Sequence, residues 1–267
     1  TQAITVRTIS KTLNSNSWAT IKAVSDAGQG DNYWDVGDTK TITINGTVQG
    51  FTFSNLSIAV FILGFNHNSS REGSNRIHFQ IGKISNKLVG LCDNSYGSYV
   101  SSGFCMNTSR TNSGGWNGSY MRKTVLGNSG TPTSPPANSL LAALPSDLRA
   151  VMKPVTKYSD NTGGGSNTAS YVTATTDYLT LLAEFEYHGS RSYANSAEQN
   201  YQKQYDYYKA GNSKVHYRHD NTGTAVSAWT RSANAGNSYN FCRVYTDGTP
   251  DSTNADNSWA LAPGFAA

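Results

Sequence analysis

The sequence predicts an α+β protein made of short β-strands, a few short helices and long polar loops. Only 14% of its 267 residues are charged, against roughly 25% in an average soluble domain. Thr, Tyr, Gly, Asn and Ser take their place, and this composition favours strands and turns over long surface helices. The third observation is the patterning, because short alternating or continuously apolar segments stand next to a few segments with helical spacing.

The amino-terminal residues carry one strand signal and one helix signal. Residues 1–17 are expected to form a lead-in strand and linker, since TQAITVRTI alternates and NSNS then breaks the pattern. A short helix is predicted to follow, with Ser17 as its N-cap. Trp18, Ile21 and Val24 would lie on one face of that helix, because they have helical spacing.

Three further strands are predicted in the first third of the chain. Asn45-Gly46 is a strong hairpin signal, so strands are expected at residues 40–44 and 47–53. Residues 56–65 are apolar on both faces, which is typical of a buried central strand. Residues 77–81 alternate and are expected to pair with that central strand.

The second half of the sequence mixes helix and strand signals. Residues 138–155 predict two short helices separated by Pro145. A strand is expected from Tyr178 into the region of Phe185. Residues 197–211 predict a helix whose tyrosines form one stripe that packs on the sheet, namely Tyr201, Tyr205 and Tyr208.

The chain is expected to fold as a single domain over residues 18–267. Its length suits one large domain with a well-buried core. No internal repeat stands out, and the Pro-rich stretch at 131–139 has neighbours of the same composition, so it is not read as a domain linker.

Charge and hydropathy weigh against two classes of partner. The net charge of +4 is spread along the chain with no basic run, whereas nucleic-acid binders more often carry a clustered basic stripe. The longest apolar run, LSIAVFILGF at 56–65, is far shorter than the roughly 20 residues of a membrane helix. No nucleic acid, no membrane insertion and no signal peptide are therefore expected.

The cysteines and histidines predict no metal and no cofactor. Cys92, Cys105 and Cys242 are expected to be buried thiols, although a bond between the first two stays open. No CxxC or HxxxH pattern is present, and His67 with His78 lack a third ligand in a supporting position. The aspartates cluster without the spacing of a calcium loop.

Catalytic patterns are also weak, so no enzyme is predicted. There is no GxSxG motif, and no glycine-rich phosphate loop opens a helix. Glu184 and Glu186 would share one face of a strand, but acid/base pairs usually converge from separate elements. A buried salt bridge from one of them to an arginine, such as Arg122 or Arg149, is the preferred interpretation.

The carboxyl-terminal segment 228–248 reads AWTRSANAGNSYNFCRVYTDG and has the composition of a binding loop. Rigid aromatic residues supply contact area, and small polar residues supply adaptable hydrogen bonds. Trp229 and the run 241–244 are expected to anchor strands. The polar residues around them are expected to form an exposed ligand-binding face.

A series of segments, taken in their order along nearly the whole chain, resembles one uncharacterised domain. That domain is found in gut-bacterial surface proteins and in tail or structural proteins of their phages. That resemblance implies a C-type-lectin-like fold, with a twisted antiparallel sheet, two or more short helices and long ligand-presenting loops. The segments that carry it are YWDVGDTKTITING (33–46), FILGFNHN (61–68), IHFQIGK (77–83), GGWNGSYMR (114–122), LPSDLR (144–149), TDYLTLLAEFE (176–186), QYDYY (204–208), WTRSA (229–233) and APGF (262–265).

Residues 228–265 are similar to the variable region of diversity-generating retroelement proteins, in which an apolar frame alternates with diversified exposed positions. The positions that match the frame are Trp229, Phe241, Cys242, Val244, Gly264 and Phe265. The lectin calcium motifs and the arginine that follows Gly-Phe in formylglycine-generating enzymes are absent. Calcium-dependent sugar binding and oxidase chemistry are therefore not carried over.

The resemblance implies a non-enzymatic receptor-binding module, borne by a phage or a bacterial surface and attached to a bacterial surface protein or glycan. A homo-oligomer such as a trimer would raise the avidity of weak sites. The alternatives are a structural or decoration protein and an enzyme on a formylglycine-enzyme-like fold. The predicted ligand-binding residues are Trp229, Arg231, Asn234, Asn237, Tyr239, Asn240, Tyr245, Asp247, Asn254, Asn257 and Trp259.

Overall fold

The computed structural model describes residues 8–267 and has an α+β architecture, as predicted. The strands of the main sheet are β1 (Thr39–Val48), β2 (Phe51–Phe65), β3 (Ile77–Ile84), β4 (Lys87–Gly90), β7 (His216–Arg218), β8 (Ala225–Val226) and β12 (Gly264–Ala266). Two smaller sheets consist of β5 (Val155–Asp160) with β6 (Val172–Asp177), and of β9 (Ala228–Ala233), β10 (Asn240–Val244) and β11 (Pro250–Asn254).

The helices of the described residues are short. The longest is α1 (Trp18–Asp26), followed by α2 (Ser69–Glu72), α3 (Gly115–Gly118), α4 (Leu140–Ala143), α5 (Ser146–Arg149), α6 (Glu184–His188) and α7 (Asp206–Lys209). A π-helical turn covers Met121–Val125, and 3-10 turns cover Leu13–Ser15, Gly30–Asn32, Ala169–Tyr171 and Ser196–Asn200. No helix within residues 8–267 has the length and apolar character needed to cross a membrane.

The main sheet is antiparallel apart from the pairing of β4 with β7. Strand β2 lies between β1 and β3, its residues 60–63 are fully buried, and β3 pairs with it as predicted. At the carboxyl terminus, β12 pairs with β3 and stacks Phe265 on Phe79 at a centroid distance of 5.2 Å. The end of the chain is thereby fixed in the main sheet and closes the core.

Helix α1 forms as the sequence predicts. The Ser17 hydroxyl accepts a hydrogen bond from the Thr20 N–H and caps the helix. Trp18 makes edge contacts with the rings of Phe79 and Phe265 at 5.6 and 6.0 Å. The lead-in strand predicted before α1 falls largely on residues 1–7, outside the described residues, and residues 8–12 contain no strand.

The predicted hairpin turn at Asn45-Gly46 is wrong. Strand β1 continues through it to Val48, and the register shift between Ile44 and Gly46 marks a β-bulge. The chain reverses instead at Gln49-Gly50, where both residues have positive φ angles of 44° and 86°. Two consecutive positive φ values match the twist of a tight hairpin, so this pair forms the turn.

Two predictions for residues 178–211 are also wrong. The expected strand is an extended segment that ends in α6, because Glu186 accepts a hydrogen bond from the Ala183 N–H and starts a helix. The expected long helix is replaced by the 3-10 turn Ser196–Asn200 and by α7. Tyr205 and Tyr208 are both buried but do not form one helical stripe. The Tyr205 ring stacks on His67, whereas the Tyr208 ring contacts Tyr187.

Candidate functional site

The structure separates the predicted ligand-binding residues by burial. Trp229, Arg231, Asn234 and Asn257 are buried. Asn240, Asn254 and Trp259 are half-buried, while Asn237, Tyr239, Tyr245 and Asp247 are exposed. An exposed binding face can therefore use seven of these positions at most, and four of them directly.

Burial leaves these four side chains little surface for a ligand. Two of them, Trp229 and Arg231, lie on β9, and all six residues of that strand are buried. Trp229 donates its indole N–H to the Phe104 carbonyl at 2.9 Å, and it acts as a strand anchor. Asn234 donates to the Ser252 hydroxyl at 2.8 Å and accepts from the Gly236 N–H at 2.7 Å. The polar groups of Trp229 and Asn234 are therefore already engaged in hydrogen bonds within the protein.

Asn257 and Trp259 both contact residues 96–99. Asn257 forms a β-bridge with Tyr99 and is almost fully covered. The Trp259 ring contacts the Tyr96 ring edge-on at 5.0 Å, and the Arg243 guanidinium lies 4.4 Å from its centre. Both side chains therefore support the surface, and Trp259 offers a ligand only its outer edge.

Exposed aromatic side chains concentrate around the small sheet β9–β10–β11. Within residues 8–267, five large apolar side chains are exposed, and four are tyrosines that adjoin this sheet. Their exposed fractions are 60% for Tyr99, 38% for Tyr193, 53% for Tyr239 and 42% for Tyr245. The fifth, Val36, lies in the loop before β1. We call these four residues the tyrosine surface.

Hydrogen bonds hold three of these tyrosines in place. The Tyr239 carbonyl accepts from the Ala255 N–H at 2.8 Å, and Tyr245 donates its N–H to the Thr249 carbonyl at 2.8 Å. The Tyr99 hydroxyl receives a hydrogen bond from the Asn254 amide at 3.4 Å. Guanidinium groups lie over two of the rings, that of Arg110 over Tyr99 at 4.4 Å and that of Arg243 over Tyr245 at 5.2 Å, and the rings remain partly exposed.

Tyr193 is held by a buried carboxylate that sequence reasoning assigned to a different role. Glu184 accepts hydrogen bonds from the backbone N–H groups of Ser192, Tyr193 and Ala194 at 2.6, 3.1 and 2.7 Å. A β-bridge between Ala194 and Asn234 then joins this loop to the end of β9. No local pattern marks Glu184 as a loop anchor, because its partners are backbone groups.

Three shallow pockets lie beside the tyrosine surface. Tyr99 lines one of about 410 Å³, Tyr245 lines one of about 350 Å³, and Tyr193 lines one of about 270 Å³. Each of these pockets also contains amide, hydroxyl or charged side chains. An aromatic wall with a few polar groups is the usual make-up of a small ligand subsite.

A second, buried region contains a cluster of charged side chains. Arg231 donates two hydrogen bonds to Glu186, at 2.5 and 2.8 Å. Lys157 donates to Glu186 at 2.9 Å, to Glu72 at 2.6 Å and to the Tyr205 hydroxyl at 2.9 Å. We call these five residues the ionic cluster.

The electrostatics of the ionic cluster follow from burial and from the two cations. Burial alone would raise the pKa of Glu186, but Arg231 and Lys157 hold it well below its usual value. Burial raises the pKa of Glu72 to about 7, against the opposing pull of Lys157. Glu186 is therefore the permanent anion of the cluster, and Glu72 titrates near neutral pH.

The predicted salt bridge from the Glu184–Glu186 pair forms, but with a partner that was not predicted. Glu186 pairs with Arg231, whereas Arg122 pairs with Asp177 at 2.7 Å. Arg149 donates to backbone carbonyls. Because residues 184–188 form a helix and not a strand, Glu184 and Glu186 have different surroundings, and only one meets an arginine.

Two carboxylates of the ionic cluster and the neighbouring His67 have the spacing of metal ligands. Ligand atoms of His67, Glu72 and Glu186 lie within 4.8 Å of one another. The Lys157 ammonium donates to both carboxylates and to the Tyr205 hydroxyl. This side-chain cation balances part of the carboxylate charge.

A pocket of about 530 Å³ opens beside His67, and it is the place where catalytic groups could converge. The His67 ring stacks on Tyr205 at a centroid distance of 3.8 Å. Burial lowers the pKa of His67 to about 3, helped by the nearby Lys157 charge. An imidazole of that pKa is a weak base at neutral pH, so this geometry favours a structural role.

The three cysteines are free and buried, as expected, and Cys92 and Cys105 are not bonded to each other. Burial raises the pKa of both of these thiols to about 12. The nucleophilic thiolate form is therefore scarce at neutral pH.

Fold and site together define a mixed α+β protein with a small carboxyl-terminal sheet that displays aromatic rings over a charged interior. The chain belongs to the family described as a domain of unknown function (DUF6273), whose model matches residues 98–266. The matched residues include all four members of the tyrosine surface. No curated protein and no solved structure matches the chain.

Proposed function

We propose that the chain is a non-enzymatic binding module that attaches to a protein or glycan of a bacterial surface through its tyrosine surface. The observation that carries this proposal is the clustering of four exposed tyrosines around one three-stranded sheet, with a single exposed large apolar side chain elsewhere in residues 8–267. Exposed apolar surface that is concentrated in one region of a soluble protein marks an interaction site.

Physical chemistry explains why these tyrosines suit binding. A tyrosine offers a large, stiff contact area and a hydroxyl group at little conformational-entropy cost. Asn237, Asn240 and Asn254 lie among them and can adjust their hydrogen bonds to different partners. A rigid backbone beneath adaptable side chains reduces the ordering cost of association.

The fold and the setting belong to the same proposal. We propose a C-type-lectin-like fold in which β9, β10 and β11 carry a diversity-generating variable region, displayed on a phage particle or a bacterial surface. The exposure of Asn237, Tyr239, Tyr245 and Asp247 supports that assignment. A homo-oligomer such as a trimer would multiply weak individual contacts into useful avidity.

Attachment of a paired tyrosine variant to cells tests the proposal. Replacing Tyr239 and Tyr245 together by Ala should weaken attachment to a panel of gut bacterial cells by at least about tenfold, since aromatic hot spots dominate small interfaces. The thermal unfolding midpoint should stay nearly unchanged, because both side chains are exposed. The readout is flow cytometry with the fluorescently labelled protein.

The matched control is Val36→Ala, which removes the exposed apolar side chain that lies away from the sheet. It should leave attachment unchanged. Equal attachment by the double variant and the unchanged protein would contradict the proposal. A loss of self-association in the double variant, without any cell binding by the unchanged protein, would favour a structural role in an assembly.

A further inference from the structure

Arg191 carries a guanidinium group that the protein leaves almost without partners. Its single hydrogen bond goes from Nη1 to the Ala194 carbonyl at 3.3 Å. No carboxylate within residues 8–267 lies within ion-pair distance of it. The side chain lines the pocket of about 270 Å³ that also contains Tyr193, Asn167 and Asn234.

The other described arginines are used inside the protein. Arg71 stacks on the Tyr201 ring at 4.6 Å, and Arg76 and Arg149 each donate to two backbone carbonyls. Those that pair with a carboxylate are Arg110, Arg122, Arg218, Arg231 and Arg243. Among the arginines of residues 8–267, Arg191 is therefore the one with no carboxylate partner, no aromatic ring beside it and no second hydrogen bond.

Hydrogen bonds to the protein interior hold the loop that carries Arg191 in place. The three backbone hydrogen bonds to the buried Glu184 carboxylate fix residues 192–194. The Ala235 N–H donates to the Tyr193 carbonyl at 2.9 Å and ties the loop to the end of β9. A site on a fixed loop binds with less ordering cost than a site on a mobile one.

The remaining groups of the pocket are suited to hydroxyl groups. The Asn167 amide N–H₂ and the Ser192 hydroxyl make no hydrogen bond within residues 8–267, whereas the Asn167 carbonyl oxygen accepts from the Ser196 N–H at 2.7 Å. The apolar side chains of the lining are Tyr193 and Ala235, and the other side chains are polar, charged or absent. The pocket is also smaller than sites for drug-sized ligands, so it suits a single ring that carries polar groups.

We infer that this pocket binds a sugar unit carrying a carboxylate, as part of a glycan gripped by the tyrosine surface. Arg191 pairs with the carboxylate in the two-pronged geometry of guanidinium groups. The Tyr193 ring covers one face of the sugar, and Asn167 and Ser192 bond to its hydroxyl groups. The inference rests on the proposed binding function and names the chemistry of its partner.

Polyuronates and their methyl esters test the inference, because esterification removes the charge and keeps the rings and hydroxyl groups. The probes are polygalacturonate, alginate and hyaluronate, each measured beside its methyl ester by biolayer interferometry. The protein should bind at least one acid form about tenfold or more tightly than its ester, the loss expected when a charge-assisted hydrogen bond is removed.

Two arginine variants separate a built site from general charge attraction. Arg191→Gln should weaken binding of the acid form by at least about tenfold and abolish the preference over the ester. Arg110→Gln removes the same charge near Tyr99, where the arginine already pairs with Asp256 at 3.6 Å. It should change binding by less than about twofold, since exposed charges contribute little.

Each contrary result has its own meaning. Equal weakening by both variants, equal binding of acid and ester, or equal binding of polyglutamate would overturn the acidic-sugar assignment. If cell attachment still depends on Tyr239 and Tyr245 in those cases, the proposed binding function stands and only this inference fails. Loss of tyrosine dependence together with retained polyuronate preference would instead remove the proposed surface.

Discussion

Strand β9 and the loop that follows it have similar compositions and opposite environments. In β9 the polar residues Thr230, Arg231 and Ser232 are all fully buried. A few residues later, Asn237 and the aromatic Tyr239 are exposed. The usual distribution, with apolar side chains inside and charged ones outside, is reversed over about ten residues of chain.

The reversal shows that hydrogen-bond partners decide burial here more than residue type does. Arg231 can be buried because Ser159, Glu186 and the Leu181 carbonyl accept its N–H groups. Tyr239 has no such enclosure, and only its backbone is fixed. Charge therefore serves structure in one segment, and exposed aromatic surface is left for a partner in the next.

Breaking the ionic cluster should have the largest effect. Arg231→Met removes the main cation beside Glu186 and leaves that carboxylate with Lys157 alone. We expect the free energy of unfolding to fall by about 3–5 kcal/mol, the usual cost of breaking a buried ion pair. Urea unfolding followed by circular dichroism measures this, and cell attachment should fall only as far as the folded fraction does.

The comparison variant is Arg218→Gln, which breaks an ion pair with Asp220 whose side chains are 25% and 48% exposed. Its cost should be below about 1 kcal/mol, because water screens exposed pairs. Similar costs for the two variants would mean that burial does not give Arg231 its role.

Acidification should destabilise the protein through its histidines, of which four are buried and His188 is half-buried. Burial lowers the pKa of all five, to about 3 for His67, to about 4 for His188 and His216, and by direction also for His78 and His219. Their contribution is present above the unfolded value of about 6.5. This stabilisation is lost as the pH falls from about 6.5 towards 4, because the imidazoles bind protons in the unfolded chain and stay neutral in the folded chain.

Three carboxyl groups oppose this trend, one of which is Asp177, whose pKa is raised by burial. Burial raises the pKa of Glu72 and Glu198 to about 7. Each stabilises the fold most at low pH and loses that contribution as the pH rises through about 7. The histidines outnumber them, so unfolding near pH 5.5 should take up at least about two protons, and stability should fall by about 3 kcal/mol per pH unit on acidification.

Denaturant midpoints at pH 7, 6 and 5 measure this slope. His216→Gln should make the slope shallower by about one proton, because His216 is fully buried with an unpartnered Nδ1. A stability that stays level or increases on acidification would contradict the assignment of these imidazoles as buried and neutral.

The sequence predicted the parts of the fold that depend on local pattern. The apolar run of β2, its pairing with β3 and the Ser17 cap of α1 are all visible in short windows. The Asn45-Gly46 prediction was wrong because Gln49-Gly50, four residues further on, is the pair in which both residues have positive φ. Local signals that compete are settled by pairing partners far along the chain.

The candidate site was predicted only in part, for the same reason. The ionic cluster joins Glu72, Lys157, Glu186 and Arg231, which are far apart in sequence and share no motif. Arg231 resembled a ligand residue because its neighbours are polar. The sequence did not predict Tyr193 as part of the site, because its position beside β9 depends on backbone hydrogen bonds to Glu184. Such bonds leave no pattern of residue types.

Loosening the loop beneath Tyr193 should have a moderate effect on stability and a specific effect on binding. Glu184→Gln removes the negative charge and one of the two acceptor oxygens that hold residues 192–194. We expect a loss of about 1–2 kcal/mol in the free energy of unfolding. The preference for a polyuronate over its ester should fall as well, because Arg191 would no longer be positioned.

Asp31→Asn is the matched control for this change. Asp31 is an exposed carboxylate in the 3-10 turn Gly30–Asn32, and its side chain makes no hydrogen bond or ion pair within residues 8–267. The substitution should cost less than about 0.5 kcal/mol and leave the ester preference intact. If Glu184→Gln kept the full preference, loop anchoring would not be what positions Arg191.

The smallest stability effect should come from Tyr99, the most exposed ring of the tyrosine surface. Tyr99→Phe removes one long hydrogen bond from Asn254, at 3.4 Å, and should change the free energy of unfolding by less than about 0.5 kcal/mol. Tyr99→Ala should also leave the fold stable. It removes the aromatic ring that contributes to the tyrosine surface and that the Arg110 guanidinium covers at 4.4 Å. Cell attachment should therefore fall for the Ala variant and persist for the Phe variant. If the Ala variant unfolded instead, Tyr99 would belong with Arg231 as a residue that serves the fold, and the tyrosine surface would shrink to three members.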